Sequence, residues 1–239
     1  MASLDVIATI DITATAAVLV GTIAAAYPGP LPARLGIVGA FVLWFTLVVL
    51  ASGFDLLDPV KGFGMPALAF AFLIPLVAIA FAATSTAERW QRVLAIPMAA
   101  LILTHVLRVL GVEFLMLWSA GRLTAPFAPS AGWGDIITGV AAVPVAWAVW
   151  RQAAGWRALA IIWNLFGAAD LIAAVAFGIA SAPGSPLLMF PPPSEPIMTT
   201  LPWVLIPAYL VPIWLLTHAL MLVELARHAS PVDLRAQRL

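Results

Sequence analysis

The 239-residue sequence contains no cysteine and a single lysine, Lys61. The missing thiols exclude disulfides, thiolate catalysis, iron–sulfur clusters and cysteine-ligated zinc or haem. Lys61 lies in a polar interval between apolar runs, so no helix offers an amine for a Schiff base. Charge of either sign is scarce. Only 9% of residues are Asp, Glu, Lys or Arg, against about 25% in an ordinary soluble domain. Net charge is zero, which gives no electrostatic footprint for nucleic acid. Neither a Walker motif nor GxSxG, HExxH, HxxxH or GxGxxG in a strand–helix context is present.

What remains is apolar. Hydrophobic residues make up 64% of the chain, and the mean hydropathy is +1.08. Water would not tolerate so much apolar surface, so the composition predicts an all-α, polytopic membrane protein. A spanning helix takes about 20 apolar residues. Seven runs qualify, near 5–27, 34–53, 66–85, 93–118, 134–151, 157–180 and 201–226, forming a single transmembrane domain over 1–239. Pro and Gly punctuate the gaps, as at Tyr27-Pro28-Gly29-Pro30 and Pro191 to Pro193. Trp90, Trp118, Trp133, Trp150, Trp156 and Trp203 fall near the borders, where indole favours the headgroup region. The N-terminus carries Asp5 and Asp11 but no basic n-region, so the first run reads as a retained helix rather than a signal peptide.

Basic residues predict the orientation. Arg34, Arg89, Arg92, Arg151, Arg157, Arg227, Arg235 and Arg238 fall on one side, and Lys61 and Arg122 on the other. Positive charge favours the cytoplasm, which puts the N-terminus outside and the C-terminus inside. Ten arginines against one lysine, with abundant alanine, associate with a bacterial gene of high GC content, and hence with a bacterial inner membrane.

Several features bear on packing. Thr13, Ala17, Gly21 and Ala25 recur every four residues, the pattern that lets helix backbones approach closely. Pro75, Pro144, Pro207 and Pro212 lie within runs, and the seventh run, with Pro202 as well, should be the most irregular. The proline-rich interval 181–200 should rest on the bilayer or fold over the bundle.

The functional signal is polar. Arg108 sits inside the fourth run, where an ionised group costs roughly 2.5–3.5 kcal/mol on insertion scales and must find a partner or a wet cavity. His105 and Thr104 share its helical face. Asp170 of the sixth run is the first candidate partner, Asp135 the second and Asp11 the third. Asp135 reads as opening the fifth helix, where an acid suits the helix N-terminus. Asn164 and His218 complete the polar set, and Glu113 lies on another face.

Arg108, His105, Asp170, Asn164, His218 and Asp135 are therefore the expected lining of an intramembrane site for a small molecule or lipid, with transport as an extension. Membrane lipid is the other expected partner. Three other chemistries use the same residues. An enzyme acting on a lipid-like substrate would take Asp170 or His218 as base and Arg108 as anion stabiliser. A b-type haem would take His105 and His218 as axial ligands. A tetrahedral zinc would take both histidines and Asp170. No motif names a cofactor, an oligomeric state or a signalling output, although a sensor acting through a partner also fits a bundle of this kind.

Overall fold

The computed structural model describes residues 2–193 and 196–227. The described residues form helices and the segments that join them, and no strand. Helices α1 (Ala2–Ala26), α2 (Leu31–Gly53) and α3 (Met65–Thr84) are followed by a short α4 (Ala87–Leu94). Next come α5 (Met98–Thr104), a 3₁₀ stretch (His105–Leu110) and α6 (Gly111–Ser119), which together form one rod. Then follow α7 (Phe127–Trp150), α8 (Trp156–Ser181), a π-helical turn (Ile206–Leu210) and α9 (Val211–Arg227). Seven of these units are long and apolar enough to cross a membrane: Leu4–Ala26, Leu31–Gly53, Met65–Thr84, Met98–Ser119, Phe127–Trp150, Trp156–Ser181 and Ile206–Arg227.

The two ends of the bundle differ. One carries tight connections at 27–30 and 151–155 together with α4. The other, where the chain starts, carries the long segments 54–64, 120–126 and 182–205. We refer to the latter as the loop-rich end. There Asp5 ties α1 to the loops, accepting from Arg122 Nη1 and from Trp203 Nε1, both at 2.8 Å.

Four sequence expectations change. The fourth span begins at Met98, not 93, because residues 87–94 form α4 with its own N-cap, Thr86, and Pro97 interrupts before α5. α4 carries Glu88 and Arg92 as an (i, i+4) pair, and none of its residues is buried. The fifth span begins at Phe127, not 134. Pro129 falls in its first turn, where a missing N–H breaks no helical bond. Asp135 therefore sits more than two turns inside α7 and does not meet the helix N-terminus. Finally, Thr13, Ala17, Gly21 and Ala25 all face outward, and a Cβ on Gly21 would touch nothing within 4 Å. α1 packs instead through Ala8, Ile12, Ala16, Leu19 and Val20, which share its inward face.

Close backbone approach occurs elsewhere. α7 packs against α5, the 3₁₀ stretch, α6 and α8. A Cβ on Gly139 would lie 2.9 Å from Val109 N and 3.2 Å from His105 O, so the 3₁₀ backbone rests directly on α7 there.

The seventh span is irregular, as its prolines require. Residues 206–210 form a π-helical turn that contains Pro207, and regular helix resumes at Val211. Tyr209 in this turn packs on Trp44 and Phe45 of α2, with ring centroids 5.0 and 5.3 Å apart. Pro75 and Pro144, by contrast, lie inside uninterrupted α3 and α7. Of the basic residues used for orientation, Arg235 and Arg238 lie outside the described residues.

Candidate functional site

Arg108 is fully buried, with 0% exposure. The local backbone aims it. In an α-helix, His105 and Arg108 would be offset around the axis, since a turn takes about 3.6 residues. In the 3₁₀ stretch a turn takes about three, so His105, Arg108 and Gly111 stack on one line. The same change raises the axial separation of His105 and Arg108 from the 4.5 Å expected of an α-helix (~1.5 Å per residue) to about 6 Å.

The guanidinium bridges three helices. Its Nε donates to Asp135 Oδ1 of α7 at 2.6 Å, and its Nη2 to Asp170 Oδ2 of α8 at 2.5 Å. Its Nη1 donates to the carbonyl of Gly167 on α8 at 3.1 Å and to His218 Nε2 on α9 at 3.2 Å. Four of five N–H groups are thus placed, each in the planar fork that arginine offers. Such satisfaction is what makes a buried cation tolerable.

The histidines follow from these bonds. Arg108 can only donate, so His218 Nε2 accepts and the ring is uncharged. The hydrogen then lies on Nδ1, which donates to Asn164 Oδ1 at 2.5 Å, while Asn164 Nδ2 donates to the carbonyl of His218 at 3.1 Å. His105 meets Thr217 through Nε2 at 2.9 Å. Thr217 spends its hydroxyl hydrogen on the Trp214 carbonyl at 2.8 Å, so His105 Nε2 is the donor. His105 Nδ1 is left buried without a partner. Trp163 packs edge-on against His105 and is held by its own bond to the Thr138 carbonyl at 3.0 Å.

All six residues singled out in the sequence therefore lie in one connected cluster. Asp170 and Asp135 bind the guanidinium together, and Asp11 is not among its partners. Glu113 faces elsewhere. It is 3% exposed, and neither carboxyl oxygen has a partner. The cluster also takes in Thr217, Trp163 and the Gly167 carbonyl, which were not among the expected lining. Each carried a signal in the sequence, since Trp163 and Gly167 share a helical face with Asp170 and Thr217 adjoins His218.

The close fit depends on glycine at two places. A Cβ on Gly134 would collide with the Asp170 carboxylate, and one on Gly167 would lie 2.7 Å from the His218 ring. Only hydrogen at these positions lets α7, α8 and α9 close around the guanidinium.

The arrangement bears on the metal chemistries. The rings of His105 and His218 lie 4.2 Å apart between centroids, which leaves no gap for a porphyrin, and both Nε2 atoms are engaged. Among the described residues, no three His, Asp or Glu side chains have an arrangement that could hold a metal ion.

A cavity of about 300 Å³ adjoins the cluster on its loop-rich side. Its walls come from α3, α8 and the start of α7, including Phe72, Phe127, Leu171 and Val175. Pro207 and Val211 of the seventh span close one flank, and Pro183, Met198 and Thr199 of the 182–205 segment close the top. The lining is almost wholly apolar. Among the described residues Asp135 is its one charged member, whereas Arg108, Asp170, His105, Asn164 and His218 do not line it. Asp135 is thus the link between the polar cluster and the cavity.

No curated protein and no solved structure matches the chain. One family does, over residues 65–226, a stretch that holds all six cluster residues and most of the cavity wall. The chain belongs to that family, whose description is domain of unknown function DUF8737.

Proposed function

We propose that this is a multi-pass protein of a bacterial inner membrane, with its N-terminus outside, that binds a small molecule or lipid at an intramembrane polar site. Seven apolar helices and the distribution of arginine support the membrane placement and orientation. The observation that carries the binding reading is the joining of a cavity of about 300 Å³ to the Arg108 cluster through Asp135. Binding sites combine apolar walls with a few convergent polar groups, and volumes from about 300 Å³ upward are typical. Arg108 acts here through Asp135, by fixing the carboxylate that reaches the ligand.

Transport is the extension favoured by one feature. The π-helical turn at Ile206–Leu210 borders the cavity through Ile206 and Pro207, and π turns recur at functional sites in helices.

The test uses the protein in phosphatidylcholine nanodiscs with the neutral apolar fluorophore N-phenyl-1-naphthylamine. Saturable binding is expected, and Ala174→Trp, which fills the cavity from α8, should abolish it. Equal signal from the wild type, the filled variant and empty nanodiscs would refute the reading.

A further inference from the structure

The polar cluster sets two acids against one cation. Asp135 and Asp170 bring two carboxylates to the single guanidinium of Arg108. His218 accepts from Arg108 and is neutral, and His105 adds no second N–H bond. With both carboxylates ionised the cluster would hold one excess negative charge in a region where an unpaired charge is costly, so a proton or a ligand's cation is needed to balance it.

The cavity shows where that charge can be met. Asp135 uses Oδ1 for Arg108, and its Oδ2 has no hydrogen-bond partner among the described residues. The residue is 7% exposed, and it lines the cavity. A second polar group there is also unspent. Ser181 Oγ, at the end of α8, is buried and unpartnered, and Ser181 lines the cavity. The other two hydroxyls of the lining among the described residues are taken, Thr124 by the Pro191 carbonyl and Thr199 by the Pro196 carbonyl, each at 2.8 Å. Among the described residues no basic side chain lines the cavity, and Arg108 is fully enclosed behind Asp135.

We propose that the cavity selects a lipophilic amine, bound as its ammonium, with an N–H donated to Asp135 Oδ2 and an apolar body among Phe72, Phe127, Leu171 and Val175. The proposal rests on the binding reading above and adds the chemical class of the ligand. An ammonium at Asp135 cancels the excess charge of the cluster and fills the vacant lone pair in one contact. The aromatic walls add a face that favours cations over anions. A carboxylate or phosphate would meet the Asp135 carboxylate with no exposed cation beside it. An alcohol would supply the hydrogen bond but leave the charge. Ser181 offers a hydroxyl to a second polar group on the amine or to an accompanying water.

The test compares three probes of one shape, 4-phenylbutylamine, 4-phenylbutanol and 4-phenylbutyrate. Each is titrated by equilibrium dialysis against the wild-type protein in phosphatidylcholine nanodiscs, with empty nanodiscs subtracted. The amine should bind about tenfold or more tighter than the alcohol, the scale of a charged over a neutral hydrogen bond. The carboxylate should show no saturable binding. Ala174→Trp, which leaves the ion cluster untouched, should remove the amine signal. Equal affinity for amine and alcohol would mean that a resident proton balances the cluster, and would overturn the amine assignment while leaving the cavity as a binding site. Tighter binding of the carboxylate would overturn it in the same way. Failure of all three probes, together with failure of the naphthylamine fluorophore, would remove the binding reading itself.

Discussion

Arg108 Nη2 and Asp170 Oδ2 meet at 2.5 Å between the 3₁₀ stretch and α8, and Arg108 is wholly enclosed. The pair is not closed, because Asp135 shares the same guanidinium. Removing the arginine strands two carboxylates. Arg108→Leu should therefore cost at least the 3–5 kcal/mol typical of breaking a buried pair, read as lost folded yield or a lower melting temperature. The double variant Arg108→Leu with Asp170→Leu should recover little, because Asp135 stays uncompensated. Adding Asp135→Leu should restore folding. Full recovery in the double variant would show that Asp135 does not share the charge.

Gly134 gives a steric test. A methyl at this position collides with the Asp170 carboxylate, whereas one on Gly21 of α1 meets nothing within 4 Å. Gly134→Ala should destabilise by about 1–3 kcal/mol, the usual cost of overpacking. Gly21→Ala should be neutral or stabilising, because alanine is the better helix former by up to ~1 kcal/mol. Thermal melting of the two variants side by side checks the contrast, and equal melting temperatures would contradict the close approach of α7 and α8.

Glu113 predicts the opposite sign from Arg108. Its carboxyl is buried with both oxygens unpartnered, so the native state bears its desolvation without return. Glu113→Leu should raise the melting temperature, by an amount equivalent to roughly 1 kcal/mol or more. A fall would reveal that the carboxyl has a partner in the folded protein.

Asp58 supplies the pH dependence, and it lies outside the spans. Its Oδ1 accepts from the backbone N–H groups of Lys61 and Val60, each at 2.8 Å, and these bonds hold its carboxyl below the ordinary 3.8. A carboxyl lowered by folding contributes order that is complete above 3.8 and lost as the pH falls through the folded value. Amide hydrogen-bond signals of Val60 and Lys61, followed by NMR, should persist down to pH 3.8 and fade only below it. Loss well above that value would contradict the turn geometry beside Pro59, which borders the cavity.

Legibility differed by scale. The apolar runs were long enough to be counted without knowing any contact, and four of the seven fall within about three residues of the observed helices. The seventh starts late, at Ile206, while the fourth starts late at Met98 and the fifth early at Phe127. The latter two borders shifted because Trp90 with its neighbours forms a separate short helix, and because proline at 129 is harmless in a first turn. The polar cluster was legible for a different reason. An arginine within an apolar helix demands acids, and the chain offers few. The small-residue stripe on α1 misled, since spacing alone does not say which face a helix turns inward, and Gly139 and Gly167 made the close contacts instead.

Sequence alone determined that hydrocarbon suits most of this chain and that its rare internal charges must be shared, because both follow from composition and from the cost of desolvating an ion. Tertiary structure decided that Asp135 and Asp170 divide one guanidinium, that a 3₁₀ stretch aligns His105 with Arg108, and that a cavity opens on Asp135 rather than on the arginine. Those outcomes depend on how far three helices can approach at Gly134 and Gly167, a distance set by packing between segments remote in sequence.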